Sequence, residues 1–434
     1  MKSFFILLLL FASLMIIAKS GKNRLVWLIG SLFILNDKIC IGPFSSYSIL
    51  CTAFVFSLFY HNELKKQWNI FHFRIIFIIL FLLHIMVMIM DDRGFPLISC
   101  ISRVYNNFVP RYLALFVGFA AIKEISEFNR MLKPVSLIIL LVSIYGCFTF
   151  VLQDNPYIEL ITSSFESENI WRNVQARGYR VYSTLNNPIV YGYVMCIATH
   201  IVMMCYGIYH KKTLLIIAFL ALINIFLANS RTGVVSGFLL ISLFIILKNG
   251  ISVSLLKYLS VAFFVGLLSY LYIPAIQTSI DSAVDIFLTG GENTGGSNMD
   301  LKDRQFEASF LLFIQHPFWG NGFNYFQEEI LNKESVLLSD LAGLEGFAYK
   351  LLIEEGGFMI AAVVLLFTAL IWIFYKRIKF SPYSSVGIAW TLSFLFFICA
   401  TGTYGGIFTI GMVFIGIILK RTYLDEVFNF NTRL

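Results

Sequence analysis

Apolar runs long enough to cross a bilayer recur from one end of this chain to the other, and few folds can accommodate them. They occupy residues 4–18, 25–40, 46–60, 70–90, 112–122, 135–152, 188–209, 213–228, 234–247, 252–273, 357–375, 383–400 and 404–419 of 434. A spanning helix needs roughly 20 predominantly apolar residues, fewer where polar ends snorkel to the interface. The expected fold class is therefore all-α, a polytopic integral membrane protein of about 12 (11–13) transmembrane helices. Composition agrees: 58% of residues are hydrophobic and 13% charged, against ~45–50% apolar in soluble folds. A nucleic-acid binder, a secreted disulfide scaffold and a cytosolic enzyme are excluded. The net charge of +7 is a by-product of topology, because Lys and Arg collect in cytoplasmic loops.

Alternate loops carry Lys19, Lys22 and Arg24; Lys65 and Lys66; Lys123, Arg130 and Lys133; Lys211 and Lys212; Lys248; Lys376, Arg377 and Lys379; and Lys420, Arg421 and Arg433. The positive-inside rule assigns that side to the cytoplasm. Ile16 is a poor small-residue match for a signal-peptide cut after Ala18, so the first run is read as a helix. Residues 1–434 then form one transmembrane helical domain with two long loops on the other, extracytoplasmic face. These are residues 153–187 and the larger 274–356, read as a folded subdomain because long loops are usually functional or disordered. In the latter, Gly290 to Ser297 reads as a flexible arm, and Phe306, Phe310 and Phe313 mark a helix over Gln305 to Gln315. The seven scattered cysteines read as small packing residues, with no metal-ligand spacing.

Positive charge is depleted from an outer face by topology, so arginines that remain there point to function. They are Arg93, Arg103 and Arg111; Arg172, Arg177 and Arg180; Arg231; and Arg304. Arginine grips phosphate through a planar fork and stays charged in apolar surroundings, which suits a lipid-linked diphosphate. Arg231, in Ala228-Asn229-Ser230-Arg231-Thr232-Gly233, must sit at the bilayer edge beside a helix N-terminus, where backbone donors favour an anion. The alternative for Arg231 is snorkelling to headgroups, and for Arg177 and Arg180, solvated loop charge. In His316-Pro317-Phe318-Trp319-Gly320-Asn321-Gly322 the glycines allow a tight turn whose backbone approaches a ligand. His316 is a candidate acid/base group or a helix cap. Glu345, four residues before Tyr349, is a candidate base for a sugar hydroxyl or a helix-start charge. His72, His84 and His200, along apolar runs, read as snorkelling or packing residues.

The order of these features resembles the O-antigen polymerase and O-antigen ligase superfamily. Arg177 and Arg180 with Asn187-Pro188 precede a helix, Ser230-Arg231-Thr232-Gly233 joins two helices, Arg304 precedes the His316 to Gly322 turn, and Tyr349 to Gly357 enters a span. The resemblance implies a metal-independent glycosyltransferase, using no cofactor, at the periplasmic face of the bacterial inner membrane. Its substrate would be an undecaprenyl-diphosphate-linked oligosaccharide, with a flippase and a chain-length regulator as family-level partners. Arg180, Arg231 and Arg304 match the family's diphosphate-holding arginines, with Arg177 and Tyr349 beside them. The ligase branch carries a His some ten residues before the Gly that opens the next helix, where this chain has Gly346 or Phe347 with Glu345 adjacent. That departure favours a repeat-unit polymerase for O-antigen, capsule or a related polysaccharide. An O-antigen ligase and, from another class, a lipid-linked oligosaccharide flippase are the alternatives.

Overall fold

The computed structural model describes residues 1–166, 179–249, 299–326, 346–401 and 406–431, with isolated residues between 270 and 289 and residues 328 and 344. Most of the run at 252–273, the Gly290 to Ser297 arm, Arg172, Arg177 and Glu345 lie outside the described residues. The chain is about 81% helical. Among the described residues, one two-stranded sheet pairs β1 (Cys40–Ile41) with β2 (Phe44–Ser45), antiparallel.

By length and composition, six helices among the described residues can cross a membrane: α8 (Ile125–Leu152), α10 (Pro188–Tyr209), α12 (Arg231–Asn249), the segment from Phe347 to Arg377, α16 (Tyr383–Thr401) and α17 (Ile407–Asn431). A seventh appears if α4 (Leu64–Ile70) and α5 (Arg74–Ile89), bent by 103° at their junction, count as one. This is fewer than the dozen expected. The helices α1 (Lys2–Ala18), α2 (Gly21–Ile34), α3 (Ser46–Tyr60) and α11 (Lys212–Leu227) are apolar but run only 14 to 17 residues. At 1.5 Å per residue they reach roughly 21–26 Å, short of a hydrocarbon core of about 30 Å. The run at 112–122 is no lipid-facing span either. It forms α7 (Ala114–Ala120), with every residue buried, preceded by α6 (Leu97–Phe108) and a π-helical turn over Val109–Leu113.

Helix α17 lies at the centre, with 89% of its apolar window buried against 28% for α12. It packs on α7 where Gly118 and Gly416 let the two backbones touch, the small-residue contact that substitutes for hydrophobic drive inside lipid. Ile75, Val151 and Phe238 stay exposed on the outside, as a lipid-facing surface requires. The polar segment after α8 holds a further helix, α9 (Pro156–Ser164), capped by Asn155 and tied to α2 by the Tyr157 hydroxyl donating to the Ile34 carbonyl. The expected helix in the large loop is α13 (Met299–Gln315), with Phe306, Phe310 and Phe313 stacked in series. Ala308, Leu344 and Ile353 form a small core of their own beneath it. The entry to the fourth span is broken into α14 (Phe347–Lys350), a π-helical turn over Leu351–Glu355, and α15 (Gly356–Arg377).

At the opposite, lysine-rich end, Glu63 accepts from buried Arg24 at 2.9 Å and from Lys123 at 2.6 Å. Burial alone would raise the Glu63 carboxyl, yet these two cations hold it below its ordinary value.

Candidate functional site

Two of the predicted anion-binding arginines meet where α10 and α12 begin. The Val181 amide donates to the Leu227 carbonyl at 3.0 Å and Arg180 Nε to the Ala228 carbonyl at 3.4 Å. Arg180 is thereby set against the turn that carries Arg231. That turn passes through Asn229 at φ 45°, and the Ser230 hydroxyl accepts from the Gly233 amide at 3.1 Å, capping α12. Helix α10 is capped by Asn187, which accepts from the Ile189 amide at 2.8 Å, with Pro188 in the first helical position. The two helices cross at Gly192 and Gly233, close enough that a Cβ on Gly233 would lie 3.4 Å from the Gly192 carbonyl carbon. Arg180 and the start of α12, which bears Arg231, thus share one junction with the start of α10, a setting suited to an anion. Arg231 is 7% exposed, enclosed by protein rather than extended to headgroups as snorkelling would require.

Arg304 and Tyr349 belong to a second group. Arg304 is exposed on α13, and the half-buried Tyr349 ring on α14 lies 6.3 Å from Phe306. His316 ends α13; its carbonyl accepts from the Gly320 amide at 2.9 Å and its side chain is exposed.

The turn after His316 approaches its own chain, not a ligand as expected. The Asn321 amide donates to the Ile353 carbonyl at 2.8 Å, the Gly322 amide to the Glu354 carbonyl at 3.1 Å, and the Gly357 amide to the Pro317 carbonyl at 2.8 Å. Gly320 and Gly356 sit at φ 71° and 74°, and a Cβ on Gly320 would be 2.5 Å from the Glu354 carbonyl oxygen and the Glu355 amide. Only glycine permits both that conformation and that approach.

Arg93 and Arg103 clamp this turn. Both donate to the Phe323 carbonyl, at 2.8 and 2.7 Å, and both pair with Glu328, at 3.2 and 2.7 Å. Arg93 also holds Asp91 through two bonds of 2.7 and 2.6 Å. Burial works against the charge on Arg93, but Asp91 and Glu328 hold its guanidinium above its ordinary value. These two outer arginines are used in holding the fold.

Beneath the clamp lies a buried cluster of which sequence reading singled out Arg111 but not Glu355 or His84. Arg111 Nη1 donates to Glu355 Oε1 at 2.6 Å, with the two side chains 7% and 0% exposed. His84, read from sequence as a packing or snorkelling residue, places Nε2 3.8 Å from Glu355 Oε2, and both atoms are otherwise without a hydrogen-bond partner among the described residues. His84 Nδ1 contacts the Leu80 carbonyl at 2.7 Å. A carbonyl cannot donate, so Nδ1 carries a hydrogen, and Nε2 faces the carboxylate. The Tyr112 ring stands 5.4 Å from the imidazole. His200 does match the packing reading, accepting from Trp390 Nε1 at 3.0 Å in the core.

An unbroken aromatic series joins this cluster to the arginine junction. Arg111 lies 5.8 Å from the Phe347 ring, Phe347 4.9 Å from Phe408, Phe408 5.2 Å from Phe394, and Phe394 6.2 Å from Tyr193, which follows Gly192. Among the described residues, no three His, Cys, Asp or Glu side chains are grouped to hold a metal. No protein-family model matches the chain, and no curated protein matches it either.

Proposed function

We propose that this chain is a membrane glycosyltransferase that polymerises undecaprenyl-diphosphate-linked repeat units at the outer face of a bacterial inner membrane. The observation that supports the reading is the placement of Arg180 on the turn bearing Arg231, at the shared N-terminal ends of α10 and α12. A sugar diphosphate leaves as an anion, and guanidinium groups fixed beside helix ends stabilise the developing charge without reorganising. The full set of about a dozen spans and the periplasmic position of the site belong to this reading. So do Arg177 and Arg304 as further diphosphate contacts, Tyr349 on the glycan, and Glu345 or His316 as the base.

The banding of surface polysaccharide on a gel tests it, from cells lacking the gene and from complemented cells. A single repeat unit on the lipid A core, extended to a ladder by the wild-type gene but not by Arg180→Ala or Arg231→Ala at equal abundance, is the expected result. Arg231→Lys should rescue poorly, because the bidentate fork is lost. Normal ladders from both alanine variants would remove the diphosphate role. Bare core with polymer held on the carrier lipid would indicate a ligase.

The buried Arg111–Glu355–His84 cluster favours a second reading, a flippase or other transporter. Ionisable groups inside a helical bundle commonly mark a transport or proton path. Bare core with unpolymerised units held on the cytoplasmic side would select it.

A further inference from the structure

At the lysine-rich end, the 103° bend between α4 and α5 buries Phe71 and leaves His72 exposed beside the Tyr423 ring. The His72 ring is 5.8 Å from that of Tyr423, the Arg377 guanidinium carbon 5.5 Å, and Lys420 Nζ 5.2 Å. Three basic side chains, from the bend, α15 and α17, thus surround one tyrosine.

Their polar hydrogens are unevenly matched. Arg377, 4% exposed, donates through Nε to Glu426 at 2.7 Å, and its Nη2 lies 3.2 Å from His72 Nε2. Its Nη1 is buried without a partner among the described residues. Guanidinium can only donate, so His72 Nε2 accepts, and the remaining hydrogen of this imidazole is on Nδ1 as one more donor. Lys420, 2% exposed, donates to Gln67 Oε1 at 3.0 Å and lies 4.7 Å over Phe119. No carboxylate is within ion-pair range of it among the described residues. Glu426, with a side chain 41% exposed, is the carboxylate held by Arg377. Lys66 and Arg74 stand exposed on the flanking helices.

We propose that the basic cluster around Tyr423 binds a phosphate group, supplied either by an anionic lipid headgroup or by free phosphate. An ammonium and a guanidinium withdrawn from water need more opposite charge than one half-exposed carboxylate and aromatic faces provide. The groups left over are all donors and carry positive charge, which excludes a cationic ligand and matches phosphate oxygens. Their position at the end of apolar helices is where headgroups lie, and basic pockets between helices commonly accept them. This site is independent of the function proposed above.

The test uses the full chain in dodecyl maltoside micelles, which hold no phosphate, with the thermal unfolding midpoint read while phosphatidylglycerol in the micelles or inorganic phosphate in the buffer is raised. The wild-type midpoint should climb with the logarithm of one of these once the site saturates. Lys420→Met, which keeps an apolar stem beside Phe119 and Tyr423, should fold in maltoside alone and lose that climb. Lys211→Gln, at a site remote in sequence, should keep it. A climb with phosphatidylglycerol alone assigns a lipid headgroup, and one with both assigns phosphate chemistry from either source. No climb in wild type, or an equal climb in Lys420→Met, overturns the proposal. If Lys420→Met does not fold, His72→Phe keeps a ring on Tyr423 and removes the Nδ1 donor, and an undiminished climb in that variant overturns the proposal equally.

Discussion

Replacing Arg111 by methionine removes the guanidinium while keeping most of the stem volume, and leaves the buried Glu355 carboxylate without its arginine partner. The pair is 2.6 Å apart, and at an effective dielectric of about 20 the direct attraction is about 6 kcal/mol. Burying both charges offsets part of that. The expected loss is the one measured when a single partner of a buried pair is removed, about 3–5 kcal/mol. Glu355→Gln introduced into Arg111→Met should recover most of it, because the uncompensated carboxylate is then gone. The assay is reversible SDS-titration unfolding in mixed micelles, with all four members of the cycle measured at one pH. A single-variant cost under about 1 kcal/mol, or additive costs in the double variant, would refute the idea that this is a desolvated, mutually dependent pair.

Gly320→Ala and Gly356→Ala should each cost more than about 1 kcal/mol, since the positive φ and the close backbone approach are both incompatible with a Cβ. Gly207→Ala, with open space around it, is the control, and thermal unfolding in detergent distinguishes them. The Glu63 carboxyl is held below its ordinary value, so its contribution is complete above the unfolded value of about 4.3 and is lost as pH falls through the lower folded value. Glu63→Gln should therefore flatten the acid limb of a stability-against-pH curve, and an unchanged limb would count against the Arg24 and Lys123 pairing.

The helical class was legible because apolar runs need no tertiary information to be recognised. The number of spans was less so. Residues 114–120 look like lipid-facing sequence, but their apolar side chains are buried against α17, and hydropathy cannot separate a protein interior from a lipid one. The junction of Arg180 with Arg231 was readable because each lies next to a helix start marked by Pro188 or Ser230. Arg93 and Arg103 were singled out for the right reason, scarcity of outer charge, yet their partners Asp91 and Glu328 are revealed only by the fold. His84 was set aside because a lone histidine on an apolar helix carries no local signal. Its significance comes from Glu355, 271 positions later in the chain.

The members of the buried Arg111–Glu355 pair each lie on a π-helical turn. One covers Val109–Leu113 and holds Arg111; the other covers Leu351–Glu355 and holds Glu355. A π turn inserts one residue into an α-helix and so rotates everything beyond it by about 100°. Such insertions leave backbone groups poorly matched, a defect lipid does not forgive unless protein covers it. Here the second turn is covered by the Pro317–Gly322 segment, whose amides meet the Ile353 and Glu354 carbonyls. The glycines at 320 and 356, the Arg93 and Arg103 clamp on Phe323, and the break between α14 and α15 therefore serve one local requirement. They hold Glu355 on the face that meets Arg111 and His84, where the helix entering the span is broken. The irregular backbone and the buried Arg111–Glu355 pair are thus parts of one packing arrangement.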